Sequence, residues 1–133
     1  MTRHLNNINE TILPVFERYT NKIVCAYLFG SVVKGEVYPL SDIDIAVYLK
    51  EGTGEDYFEV KLALYADLCR ALKRNDVDLV VLNTTANLML LGDIVRNGVV
   101  IYDSNPAVRE DYEIKILHRF IDFKTHRSAV MGI

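Results

Sequence analysis

Three aspartates and a Gly-Ser pair carry the chemistry that this sequence can do. Asp42-Ile43-Asp44 opens an apolar stretch. Residues spaced by two on a strand project from one face, so Asp42 and Asp44 form a pair while Ile43 and Ile45 turn to the core. Carboxylates about 6 Å apart repel by roughly 3 kcal/mol at an effective dielectric of about 20. A divalent cation offsets that repulsion, and Mg²⁺ prefers carboxylate oxygens, with water and substrate phosphate completing its shell. Asp78 is a third acid, set inside the apolar run Val77-Asp78-Leu79-Val80-Val81. A carboxylate is costly to bury there without a partner. It joins the pair if its strand lies beside the strand of Asp44. Asp76 is the competitor. It shares strand parity with Asp78, but at the end of the preceding helix it is expected to face solvent.

Gly30-Ser31, separated from Asp42 by ten residues, stands at the end of a buried strand. A glycine there lets the backbone approach a ligand closely. A serine opening a helical turn offers a hydroxyl and free N–H groups to phosphate oxygens. Lys34, one turn on, adds a positive charge. Taken singly, Gly-Ser reads as a plain turn with a cap, and Asp-x-Asp as a strand end or an Asx turn. Joined at this spacing between two apolar strands, with Asp78 expected as a third, buried acid downstream, they point to a metal-assisted phosphate site.

The elements that must hold these residues follow from periodicity. Leu5, Ile8, Ile12, Val15 and Tyr19 fall on one face of a helix over 5–19, with an early turn or kink expected at Pro14. Residues 22–29 read as a buried strand, and 32–35 as one helical turn that Gly35 can end. Pro39 and Ser41 lie in a loop before a second strand over 43–49. Gly52 and Gly54 mark a flexible connection. Phe58, Leu62, Tyr65, Leu68, Cys69 and Leu72 give an amphipathic helix over 56–74, with Lys73 and Arg74 in its last turn. A third strand covers 77–82. Thr84 or Thr85 is expected to cap a helix over 86–96, and 98–102 is a short strand. From Pro106 a long helix places Tyr112, Ile116, Phe120 and Phe123 on one face. The alternation predicts one α/β (α+β) domain over 1–133, a small mixed sheet flanked by helices.

Composition narrows the classes. The chain has 133 residues, half of them apolar, and a formal charge of −3. That size suits one domain with a real core. Net acidity argues against direct nucleic-acid binding, which needs clustered positive charge. The longest apolar run, Ile23 to Phe29, is too short to span a bilayer, so no membrane association is expected. The opening residues Met1 to Asn7 carry no apolar signal core, which predicts a cytoplasmic protein. Cys25 and Cys69 match no metal spacing and are expected to be buried thiols, and a structural zinc site is not expected.

Tyr27-Leu28-Phe29-Gly30-Ser31, ten further residues, Asp42-Ile43-Asp44 and the downstream Val77-Asp78-Leu79 together resemble the Gly-Ser-x10-Asp-x-Asp signature of the polymerase-β-type nucleotidyltransferase superfamily. The resemblance covers about residues 20–105. The short chain is similar to the minimal nucleotidyltransferases, the MNT antitoxins encoded beside HEPN toxins. The resemblance implies a polymerase-β palm-like fold and two Mg²⁺ ions with ATP as substrate. Asp42 and Asp44 would hold both metals, and Asp78 would complete the metal nearer the acceptor and help deprotonate its hydroxyl. Gly30 and Ser31 would hold the β- and γ-phosphates. The acceptor implied is a tyrosine hydroxyl on a HEPN toxin RNase, silenced by AMP as in a type VII toxin–antitoxin pair. The chain departs from the pattern in one place: Val32, Val33 and Lys34 stand where many relatives carry an aromatic residue or arginine after Gly-Ser.

His4, His118 and His126 share no ligand spacing with the acids, and the last two read as helix surface. Tyr102 and Tyr112 read as core or edge packing, with stacking on adenine as the alternative. Lys115, His118, Arg119, Lys124, His126 and Arg127 read as a solvated helix face or a partner-facing one. Two other functions stay open: a non-catalytic antitoxin that acts by binding, and nucleotide transfer to a small molecule, for which no second domain is visible to build an acceptor pocket.

Overall fold

The computed structural model describes residues 3–34, 42–52 and 56–131, with side chains described from Asn7 to His126 within them. Gly35, Pro39, Ser41 and Gly54 lie outside the described residues. The elements run α1 (Arg3–Glu17), β1 (Ile23–Phe29), β2 (Ile43–Leu49), α2 (Tyr57–Leu72), β3 (Val77–Val81), α3 (Leu88–Asn97), β4 (Val99–Asp103) and α4 (Pro106–Met131). Single 3-10 turns follow β1 at Gly30–Val32 and β3 at Leu82–Thr84.

The four strands form one mixed sheet in the order β3-β2-β1-β4. β1 pairs antiparallel with β2 and with β4, while β2 and β3 run parallel. β1 is central and every residue of it is buried, which is why its sequence is apolar without alternation. Ile12 and Phe16 of α1 and Leu64 and Leu68 of α2 pack with Ile43, Ile45 and Leu79 on one side of the sheet. Leu91 and Ile94 of α3 and Ile116 of α4 pack with Cys25, Tyr27, Phe29 and Ala46 on the other. A polar chain fastens α4 to that second side. Arg109 donates to Asp103 at 2.6 Å and to Glu113 at 2.9 Å, and the Tyr27 hydroxyl donates to Glu113 at 2.7 Å.

Several local expectations are corrected. α1 continues through Pro14, so no turn ends it there, and Ile12, Val15 and Phe16 on either side of the proline are buried. α2 ends at Leu72; Lys73 leaves the helix in a left-handed conformation, so Arg70 is the basic residue of the last turn. α3 is capped by Asn87, whose side chain accepts from the Leu90 N–H at 3.1 Å. The Thr84 hydroxyl instead donates to the Val81 carbonyl. Phe123 is exposed, and Cys69 is half-buried while Cys25 is fully buried. Tyr102 stacks on Phe16 at 5.8 Å and Tyr112 on Tyr48 at 4.2 Å. His118 and His126 are exposed. Among the described residues no helix is long and apolar enough to cross a membrane.

Candidate active site

The acidic residues meet where three strand ends converge. Asp44 lies in register with Phe29 of β1 on one side and Asp78 of β3 on the other. Partners in adjacent strands lie about 5 Å apart, so Asp44 and Asp78 share a face and face each other. Asp42 precedes β2 with the same parity, beside the end where the Ile43 N–H donates to the Asp76 carbonyl at 3.1 Å. Ile43 and Ile45 are buried on the opposite face, as their spacing predicts.

Asp78 is exposed rather than buried. β3 is an edge strand, and α3 and α4 cover the β1 side of this face, which leaves the β3 side open to solvent. The rival acid is engaged elsewhere: Asp76 is half-buried and forms a two-nitrogen ion pair with Arg74. That pair holds the Asp76 carboxyl below its ordinary range. Arg74 also feels the charge of Asp42. It is a cation at the rim of the acidic group that spacing did not single out; its signal was its position two residues from Asp76.

Gly30 is in direct contact with this group. Its φ of +77° lies in the left-handed region. A Cβ there would overlap Asp44 Oδ2 and stand 3.1 Å from Cγ, so the Asp44 carboxyl occupies the space that a side chain would take. The backbone then turns through Ser31 and Val32, and the Lys34 N–H donates to the Gly30 carbonyl at 3.2 Å. Ser31 is half-buried, and Lys34 is exposed at the end of the turn.

Electrostatics mark Asp44 as the centre of the group. Its pKa is pushed up from 3.8 to about 6, first by burial, then by the charges of Asp78 and Asp42. Carboxylates gathered around Asp44 are a hard-oxygen donor set of the kind that suits a magnesium ion. Among the described residues no three His, Cys, Asp or Glu side chains close into a metal cluster. Asp42 and Asp78 are exposed and Asp44 is half-buried, so the acids lie open to solvent.

The raised pKa has a thermodynamic consequence. Asp44 is easier to ionise in the unfolded chain than in the folded one, so its contribution favours folding below about pH 4 and is lost as pH rises through about 6. The gap corresponds to about 3 kcal/mol at full strength, and solvent screening of a half-buried group reduces it to about 1 kcal/mol. Thermal melts of the metal-free protein are expected to show Tm falling by a few degrees between pH 5 and 7.5, with the fall diminished in Asp44→Asn. An equal fall in that variant would remove Asp44 as the cause.

The family model for polymerase beta nucleotidyltransferases matches residues 10–107. No curated protein matches the chain. The crystal structure of a toxin-antitoxin with AMP-PNP contains a chain 27% identical to this one, with a TM-score of 0.74 over 93% of this chain and 95% of that one. The toxin-antitoxin MntA-HpeT, in a form with two aspartates two positions apart replaced by glutamate, matches at 25% identity and a TM-score of 0.74 over the same shares. The toxin-antitoxin MntA-HepT matches in fold, at 24% identity and a TM-score of 0.68 over 96% of each chain.

Proposed function

The chain belongs to the polymerase beta nucleotidyltransferase family, and we propose that it is the antitoxin of a toxin–antitoxin pair, transferring AMP from ATP to a tyrosine hydroxyl of a HEPN-family toxin with Mg²⁺. The observation that carries this reading is the Asp44 carboxyl seated against Gly30, in register with Asp78 and repelled by both other acids. The likeness to a toxin-antitoxin chain whose structure includes AMP-PNP supports both the nucleotide and the partner.

Asp42 and Asp44 would hold two magnesium ions, with Asp78 completing the one nearer the acceptor. Bound there, the metals would supply charge neutralisation for the triphosphate and stabilise the entering and leaving oxygens. The chain's own groups do the rest by placement. Gly30 and Ser31 present backbone N–H groups and a hydroxyl to the β- and γ-phosphates, and Lys34 adds a cation on the same side. The α-phosphorus then lies over Asp44. The acceptor hydroxyl approaches from the open β3 edge, where Asp78 takes its proton. The new bond joins the acceptor oxygen to the α-phosphorus, and the bond to the β-phosphate oxygen breaks as pyrophosphate leaves.

The direct test incubates the protein with α-labelled ATP, Mg²⁺ and a candidate HEPN partner. Label on a partner tyrosine that disappears in the Asp42→Ala/Asp44→Ala variant supports the proposal. Toxin inhibition that survives those changes without label would establish the binding-only antitoxin instead, and label on a small molecule the third function. Within the site, Asp78→Ala is expected to lower turnover at least tenfold more than Asp76→Ala, because Asp76 is already committed to Arg74. The opposite order in initial-rate assays would exchange the third ligand.

A further inference from the structure

A cleft of about 520 Å³ opens on the same side of the sheet as the acids, at the far end of β2. Tyr48 lines it, four residues and about 13 Å along the strand from Asp44. Its floor is aromatic, since Tyr48 and Tyr112 stack there at 4.2 Å. One wall is a stripe of α4, Tyr112, Lys115 and Arg119, set at the three- and four-residue spacing that brings helix side chains into line.

The polar atoms of that stripe are provided for unequally. Lys115 is paired with Asp111 at 3.0 Å. Arg119 forms no ion pair among the described residues, and its charge acts on the Tyr112 phenol. The Tyr112 hydroxyl is buried and finds no hydrogen-bond partner among the described residues. A buried hydroxyl without a partner is unfavourable, and a ligand that accepts from it recovers that cost. Glu51 lies on the cleft lining too, and is a hydrogen-bond acceptor.

We propose that this cleft binds a nucleoside monophosphate, with its phosphate on Arg119 and the Tyr112 hydroxyl, its ring on the Tyr48–Tyr112 floor and Glu51 accepting from an amine or ribose hydroxyl. A free phosphate ion would leave most of the volume and the aromatic floor unused, and an uncharged ring would leave Arg119 unmatched. The site shares no side chain with the three acids and needs no magnesium, so it stands or falls separately from the transfer activity.

Titration of the full chain with AMP in EDTA, followed by calorimetry and by NMR shifts, tests it. Binding is expected, with shifts at Tyr48, Tyr112 and Arg119. The affinity should be unchanged in Asp44→Asn and reduced about tenfold or more in Arg119→Ala, the loss of one charge-assisted contact. Tyr112→Phe, which keeps the ring and removes only the hydroxyl, should weaken binding severalfold without lowering the Tm, and adenosine should bind at least tenfold more weakly than AMP. Absence of binding in EDTA, dependence on Asp44, or indifference to Arg119→Ala would overturn the assignment.

Discussion

Asp44→Asn is expected to abolish the proposed adenylyl transfer, by about a thousandfold or more, while the folded protein keeps or slightly gains stability at neutral pH. The two halves of that expectation come from one cause. Asparagine keeps the shape of the side chain against Gly30 but removes a charge that Asp78 and Asp42 oppose. Relief of that repulsion favours the fold, whereas loss of the anion would remove a ligand that the proposed magnesium ions need, and metal-centred charge stabilisation supplies much of the barrier reduction in such reactions. Initial rates with saturating Mg²⁺ and thermal melts of the same preparations check both halves. A variant that melts early as well as losing activity would mean that Asp44 supports the fold, and unchanged turnover would remove it from the metal site.

Gly30→Ala should damage stability and activity together. At φ +77° an alanine carries a backbone cost of about 1–2 kcal/mol. Its Cβ would also occupy the position of Asp44 Oδ2, so either the turn shifts or the carboxyl leaves its place. We expect a total loss of about 2–4 kcal/mol, a Tm lower by roughly 5–12 °C, and transfer reduced at least a hundredfold. The steric part is separable from the backbone part. In an Asp44→Ala background the carboxyl is gone, so Gly30→Ala should there cost about half as much, a coupling that a double-mutant cycle reads directly. Additive effects of the two substitutions would show that the contact between Gly30 and Asp44 carries no energy.

Much of this site is legible in the residues. Strand parity alone puts Asp42 and Asp44 on one face and Ile43 and Ile45 on the other, because a strand alternates whatever surrounds it. The apolar run over β1 marks a central strand, since only a strand covered on both faces needs no polar positions. Burial of Asp78 was the inference that failed. An aspartate between valine and leucine reads as enclosed, but β3 is at the sheet edge and one of its faces is open. Edge position is a property of strand order, which no local window contains.

The choice of third acid shows the same division. Asp76 and Asp78 share parity, so spacing could not rank them. The tertiary structure does so by giving Asp76 to Arg74 and placing Asp78 in register with Asp44. Likewise, the Gly-Ser pair announced a turn, while only the folded chain shows that the missing side chain of Gly30 makes room for the Asp44 carboxyl. The sequence by itself determined which residues carry charge, which positions turn inward and the signature that links Gly30-Ser31 to the acids, because periodicity and residue chemistry act over a few neighbours. Which strands lie side by side, which acid meets Asp44 and how far its pKa rises were decided by contacts between separate strands, such as Phe29 with Asp44 and Asp44 with Asp78, and those exist only once the sheet has formed.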